Sequence, residues 1–407
     1  MYKMKALILA GGDPQIKLIQ ELKRRGYYTI LADYTEHPVA EVFADKFYRE
    51  STLDIDAIRK IAVSEKIDLI ITCCTDQALN TVSVIAEELN LPCYISEKTG
   101  LAVTNKQYMK QIFVKNDIPT APFQIVQKPE QCNLREFPMV VKPVDCNSSK
   151  GVQKVFDEDE LKQAIKDAVA FSRTGNAVVE SFIEGKEISV DLFVQNGVAV
   201  VLCTSFNYKI QDPHKFVIYK GQYPACISNV ALKKIENAAQ KIVNAFELKN
   251  CPMLMQVLIK NDDIYVVEFS ARTGGCVKYR MIELASGVDV VKATVDLFEG
   301  KMPNIDVNMS DKYIVDEFIY CKKGEFDHLS GADECVAEGL LKEVHLLKTK
   351  GSLFESVNSS GDRIAAIIYE ADSYDDYIYK HNSVIKRLKV IDKDGTDIMR
   401  HDLLPSL

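Results

Sequence analysis

Residues 264–275 read IYVVEFSARTGG, an apolar strand pattern that abruptly carries a carboxylate, a hydroxyl and a guanidinium. Side chains alternate across a strand, so Glu268, Ser270 and Arg272 are expected on one face and Val267, Phe269 and Ala271 on the other. A polar stripe in an otherwise dry strand needs something to bind. The preceding run MLMQVLIK (253–260) is a second strand, joined to the first through Asn261-Asp262-Asp263. A hairpin of this length sets Gln256 opposite Glu268.

The flanking sequence supplies the setting. KEISVDLFVQ and VAVVLCTSF are two more strands, separated by Asn196-Gly197, a strong hairpin signal. A long amphipathic helix, ISNVALKKIENAAQKIVNAFEL, follows them, and together these segments make an antiparallel α+β middle region. Upstream, TNKQYMKQIFVKND begins a helix with Thr104 as its expected N-cap. Pro119, Pro122, Pro129 and Pro138 then punctuate an extended stretch leading to the strand MVVKPV. The first hundred residues differ in kind. KALILA, YTILAD and IDLIITC alternate with helical segments, which implies parallel βαβ units in a Rossmann-like domain. After Gly300 the strands DKYIVDEFIYC, GLLKEVHLLKT and RIAAIIYEA precede a helix from about Tyr374, capped by Ser373.

Bulk properties narrow the function. The 407 residues are 47% hydrophobic and 27% charged, with a formal charge of −8, which disfavours a nucleic-acid partner. No stretch approaches the roughly 18 apolar residues of a membrane span. Eleven cysteines, with no C-x-x-C spacing, read as reduced thiols of a cytoplasmic protein. Gly11 and Gly12 follow the first strand and Asp33 ends the second, yet a dinucleotide fingerprint needs glycine where Asp13 and Ile16 stand. A structural turn or a substrate-side loop is the better reading there. No Walker loop, G-x-S-x-G or H-E-x-x-H motif is present. KPVDCNSSKGV nevertheless has the makings of a phosphate loop, because small residues let backbone N–H groups approach phosphate oxygens and Lys142 adds a point charge.

In this order and spacing the motifs resemble those of the ATP-grasp superfamily, the ligases that include D-alanine ligase, biotin carboxylase and the carbamoyl-phosphate synthetase large chain. The resemblance implies a Rossmann-like domain over 1–103, an ATP-grasp domain over 104–305 with a mobile lid over about 121–185, and a C-terminal α+β subdomain over 306–407. It implies ATP contacts from Lys106, from Lys142, and from Ser148, Ser149 and Gly151 in the lid loop. In the segment ESFIEGKE it implies that Glu180 accepts the adenine amino group, Phe182 and Ile183 frame the ring, and Glu187 holds the ribose. Gln256, Glu268 and Ser270 would hold Mg²⁺ (or Mn²⁺), and Arg272, with Lys142, would meet the transferred phosphoryl group. The superfamily commonly shows E-x-N-x-R, so Ser270 replaces an asparagine, and its hydroxyl is the weaker magnesium ligand. Lys278, Arg280 and Lys220 are candidates for docking a substrate anion, although they equally suit a solvated rim. Cys146 and Cys276 suit packing better than catalysis.

The implied activity is ATP-dependent activation of a carboxylate as an acyl phosphate and its joining to an amine. The alternatives are a bicarbonate-using relative of the carboxylases or carbamoyl-phosphate synthetase, or a catalytically weakened ATP-binding protein. The expected partners are small-molecule substrates, with no nucleic acid or membrane, and a homodimer follows from the resemblance alone.

Overall fold

The computed structural model describes residues 3–147 and 149–406. The N-terminal unit runs β1 (Lys5–Leu9), α1 (Asp13–Arg24), β2 (Tyr28–Asp33), β3 (Lys46–Arg49), α2 (Ile55–Glu65), β4 (Leu69–Ile71) and α3 (Asp76–Glu88). Its strands pair in the parallel order β3-β2-β1-β4. The near-continuous apolar runs of β1 and β4 are fully buried, as a sheet covered on both faces requires. Asp33 accepts the Gly11 amide at 2.7 Å and so serves the turn after β1. Gly11 itself has no room for a side chain, since a Cβ there would lie 2.5 Å from Pro38.

Helices α4 (Glu97–Thr104) and α5 (Lys106–Lys115) lead into the middle region. Thr104, the expected cap, is instead the last residue of α4. The α5 cap is Asn105, whose side chain accepts from the amides of Gln107 (2.9 Å) and Tyr108 (3.4 Å). An asparagine oxygen reaches those orphan donors because its residue keeps extended backbone.

The expected lid is a separate sheet of β5 (Phe123–Val126), β6 (Met139–Pro143), β7 (Gln153–Val155) and β8 (Ala177–Ser181), ordered β5-β8-β6-β7. Helix α6 (Glu158–Phe171) packs on it over a small core of its own that includes Met139, Val141, Ile165 and Val179.

The remaining strands build one large antiparallel sheet. They are β9 (Lys186–Gln195), β10 (Val198–Lys209), β11 (Ile218–Tyr223), β12 (Cys251–Lys260) and β13 (Asp263–Ser270), with α7 (Asn229–Ala245) packed against them and α8 (Lys278–Ser286) and α9 (Val290–Phe298) following. Beyond residue 305 come β14 (Tyr313–Ile319), β15 (Gly324–Ser330), α10 (Ala332–Ala337), β16 (Glu343–Leu346), β17 (Leu353–Phe354), β18 (Ala365–Ala371), α11 (Tyr374–Val384) and β19 (Lys389–Asp392). The eight-stranded order β13-β12-β9-β10-β11-β14-β18-β16 runs straight across the expected 305/306 boundary. Strand β14 pairs with β11, so the C-terminal segment extends the central sheet and adds the small sheet β17-β15-β19 beside it.

Both hairpin turns have the backbone their sequences call for. Asn196 and Gly197 are left-handed (φ 52° and 77°), as are Asn261 and Asp262 (φ 50° and 65°). Among the described residues no helix is long and apolar enough to cross a membrane.

Asn105→Ala removes both capping bonds of α5 and is expected to cost about 1 kcal/mol. Urea unfolding followed by circular dichroism measures the loss, and an unchanged midpoint would contradict the assigned cap.

Candidate active site

A cavity of about 620 Å³ lies between the lid sheet, the central sheet and the turns of the N-terminal unit. Its floor is the β12–β13 ribbon, where Gln256 and Glu268 are direct cross-strand partners. The strict alternation expected for residues 264–275 breaks at one place. Val257 pairs with Val266 and Gln256 with Glu268, so Val267 is an extra residue, a β-bulge. Ile264 and Val266 before it, and Phe269 and Ala271 after it, face the same core. Val267 and Glu268 consequently both line the cavity, contrary to their expected placement on opposite faces.

At the lid root a buried carboxylate is held by two ammonium groups. Glu180 on β8 accepts from Lys142 on β6 at 2.8 Å, and Lys110 on α5 lies 2.9 Å from its other oxygen. All three are at least nine-tenths buried. Burial alone would raise the Glu180 pKa, but the charges of Lys110 and Lys142 outweigh it and hold it at about 2. The Lys110 approach lacks hydrogen-bond geometry, so Glu180 Oε1 keeps an open acceptor site. Lys110 was not anticipated, although it lies one helical turn beyond Lys106 on the same face. It also donates to Thr120 at 2.6 Å.

The other anticipated nucleotide contacts share this cavity. Lys106 donates to the Cys146 carbonyl at 2.7 Å and lies 3.1 Å from Glu268, joining the loop after β6 to the floor. Phe182 and Ile183 are in the wall, with the Lys154 ammonium 3.6 Å above the Phe182 ring. Glu187 is bound by Asn207 at 3.1 Å and by Lys209. Its pKa stays below the usual carboxylate range because Lys209 overcomes the opposing effect of burial.

Ser149 lines the cavity with φ 60° and donates to the Phe216 carbonyl at 3.2 Å. The lid loop is thereby tied to the 210–217 loop, an attachment reinforced by the Lys154 amide on the His214 carbonyl at 3.1 Å. Ser148 lies outside the described residues.

Four expected contacts take other positions. Gly151 is outside the cavity wall. It makes a left-handed turn (φ 69°) close to Pro143, where a Cβ would meet the ring at 2.8 Å. Ser270 sits in a side recess shared with Asp76, Glu268 and Arg272, its buried hydroxyl unbonded, and does not line the main cavity. Arg280 points away from the cavity, where its guanidinium is taken by Glu343 (2.8 Å) and Glu283. Lys220 lies on the reverse face of β11, 4.2 Å from the Tyr208 ring and 5.5 Å from that of Tyr377. Strand alternation is the reason, because Gly221 next to it takes the cavity side.

Arg272 does face the cavity, but its partner is neither Glu268 nor solvent. Asp76, the first residue of α3, binds the guanidinium on two nitrogens (Nε to Oδ1 at 2.7 Å), and Nη1 donates to the Thr273 carbonyl at 2.7 Å. Three of five N–H groups are thus engaged and two remain. Asp76 could not be read from local sequence, since the two residues are 196 positions apart.

At the far end of the cavity the anticipated Lys278 stands among residues that no sequence motif marked. Arg363 stacks on Phe318 at 3.5 Å and donates to the Tyr320 hydroxyl and the Ile218 carbonyl, each at 3.1 Å. Its Nη1 has no hydrogen bond to a described residue. Lys278 donates to Ser205 at 3.0 Å and stands 3.8 Å from Asp316. Asp191 accepts from the Gly274 amide at 3.3 Å, and burial pushes its pKa up to about 6 despite the nearby Lys278.

Among the described residues no group of three or more His, Cys, Asp or Glu side chains could hold a metal.

A family model for the ATP-grasp domain matches residues 135–280. The chain carries an ATP-grasp domain. The formate-dependent phosphoribosylglycinamide formyltransferase of Aliivibrio fischeri is 26% identical over 280 residues, covering 66% of this chain and 69% of that protein. The structure of an L-amino acid ligase from Bacillus licheniformis superimposes with a TM-score of 0.80 at 19% identity, over 97% of this chain and 100% of that one. The biotin carboxylase domain of Hydrogenobacter thermophilus 2-oxoglutarate carboxylase, solved with MgADP and bicarbonate, gives 0.76 at 15% identity over 99% and 93%. The matched ATP-grasp segment includes the lid from before β6, the ESFIEGKE turn and the β12–β13 floor.

Protonated Asp191 favours the fold below about pH 4, where the unfolded carboxyl is also protonated, and this contribution is lost as pH rises through 6. Asp191→Asn is therefore expected to gain stability relative to the parent by up to about 3 kcal/mol between pH 4 and pH 7.5. Thermal unfolding across that range checks it, and a difference independent of pH would contradict the assignment.

Proposed function

We propose that the protein is an ATP-dependent ligase that activates a carboxylate as an acyl phosphate and joins it to an amine. The observation that carries this reading is one cavity in which Lys106, Lys142 and Glu180 at the lid root face Gln256 and Glu268 on the floor, with Arg272 at its side. In the proposed sequence a carboxylate oxygen attacks the γ-phosphorus of ATP and ADP leaves. The amine nitrogen then attacks the acyl carbon, expelling phosphate and giving up a proton. No side-chain nucleophile is needed, only positioned charge.

The nucleotide base occupies the space between the Phe182–Ile183 wall and Glu180, whose open Oε1 acceptor suits an exocyclic amino group. Glu187 takes the ribose hydroxyls. Lys142 and Lys106 neutralise phosphate oxygens, and the two remaining N–H groups of Arg272 meet the transferred group. Glu268 and Gln256 fit Mg²⁺ as an oxygen pair whose other ligands are phosphates and water. When bound, Mg²⁺ would draw charge from the phosphates and align them, and Lys106 would exchange Glu268 for a phosphate oxygen. The lid loop, fastened to the 210–217 loop through Ser149, keeps water from the acyl phosphate. Arg363, locked by stacking and two hydrogen bonds with Nη1 open, is the anchor for the acid. The eleven free cysteines agree with a cytoplasmic location.

A screen of carboxylic acids with hydroxylamine and MgATP tests the reading, with hydroxamate and ADP expected for one class of acid. Glu268→Gln is expected to lower that kcat by about 10²-fold or more. ATP binding without ADP release under any acid would defeat the ligase reading, and release that needs bicarbonate would move the protein to the carboxylases. With the activated acid known, Arg363→Gln is expected to raise its KM at least tenfold, whereas Arg280→Gln changes it less than twofold. The reverse order would overturn the placement of the acid.

A further inference from the structure

The cavity wall contains a carboxylate, with a second one near it, that nothing in the phosphoryl-transfer machinery uses. Asp316, on β14, is only 1% exposed and lines the cavity, and neither of its oxygens has a hydrogen-bond partner. Asp191, on β9 and equally buried, stands behind it with Oδ2 unpartnered. Three buried acceptor oxygens are thus left open in one neighbourhood. Native proteins rarely leave such atoms unpaired unless a ligand or ordered water satisfies them.

The backbone is shaped to make room for this cluster. Gly221 pairs with Asp316 across β11 and β14, and a Cβ at Gly221 would fall 2.2 Å from Asp316 Oδ1. A Cβ at Gly274 would fall 2.7 Å from Asp191 Oδ1 and 2.5 Å from the Lys278 stem. Lys278 does not complete the arrangement. Its ammonium donates to Ser205 and approaches the sulfur of Met281 at 3.2 Å, remaining 3.8 Å from Asp316, outside hydrogen-bond range.

We infer that Asp316, backed by Asp191, is the binding site for the acceptor substrate's amino group, and that this group enters as a primary ammonium. The inference rests on the ligase reading and deepens it by naming the class of acceptor. A primary ammonium has three N–H donors and one positive charge, which matches open carboxylate oxygens better than a hydroxyl or thiol does. A divalent metal is disfavoured by the lack of a third ligating side chain among the described residues. The position is chemically apt, because Gly274 and Gly275 link this cluster directly to Arg272.

Two measurements test it. Saturation-transfer NMR on the nucleotide-free protein uses L-alaninamide, which presents a bare ammonium, and N-acetyl-L-alaninamide, which presents none. Signal from the first alone, lost in Asp316→Asn, is expected; equal signals, no signal, or signal retained in the variant would overturn the site. This arm does not require catalysis, so it separates failure of the ammonium site from failure of the ligase reading. In the second arm, with the activated acid, kcat/KM for a panel of amino acids is compared with that for hydroxylamine, which is neutral at pH 7.5. Asp316→Asn, and Asp191→Asn as a second variant, are expected to lower the ratio of amino acid to hydroxylamine at least tenfold. An unchanged ratio would refute the assignment, and should Asp316→Asn fail to fold, the parent protein's two NMR spectra and the Asp191 variant still decide it.

Discussion

The arrangement of the site depends on how one buried carboxylate is neutralised. Glu180 is almost fully enclosed, and an ionised carboxylate in such surroundings is tolerable only with charge and hydrogen bonds supplied by its neighbours. Lys142 comes from the adjacent lid strand and Lys110 from α5, a helix outside the lid. The pairing therefore fixes the root of the lid sheet against the rest of the molecule. At the other end of the lid the attachments are of a different kind, neutral bonds to the 210–217 loop, one from Ser149 to Phe216 and two between Lys154 and His214. The lid sheet is therefore bonded more firmly at its root than at its tip.

The central sheet is the second organising constraint. Eight antiparallel strands cross the molecule without interruption, and side-chain alternation then sorts residues between two environments. On β11 and β14 this sends Gly221 and Asp316 to the cavity and Lys220 and Glu317 to the opposite side. There Glu317 meets the Tyr377 hydroxyl at 2.6 Å and the His381 ring at 2.9 Å, forming a buried polar group under α11. A bulge at Val267 modifies the same rule on the floor strand, widening the polar surface around Glu268 while Phe269 and Ala271 return to the core.

Ion pairs also join the units that frame the cavity. Asp76 of α3 meets Arg272 at the end of the floor strand. Asp13 of α1 meets His345 at 2.9 Å, which continues through Glu343 to Arg280. Burial would lower the His345 pKa, but Asp13 and Glu343 raise it to about 9, so the ring is charged at neutral pH and the chain of alternating charges is complete. Arg280 thus belongs to the joint between units and not to the substrate-docking position expected for it, whereas Arg363 lines the cavity.

Local sequence was sufficient for whatever depends on neighbours along the chain. The turns at Asn196-Gly197 and Asn261-Asp262 were legible, but the second by itself would set Gln256 opposite Val267, and the bulge there pairs Gln256 with Glu268 instead; Lys106, Lys142, Glu180 and Glu187 were marked only by the resemblance of their order and spacing to a known family. The turns rest on local backbone chemistry, which acts over a few residues. Tertiary structure alone decided the partners of buried charge: Lys110 for Glu180, Asp76 for Arg272, Glu343 for Arg280. It also decided that Asp316 and Arg363 line one cavity with the buried Asp191 nearby, because long-range packing determines which buried groups face one another and which remain unpaired.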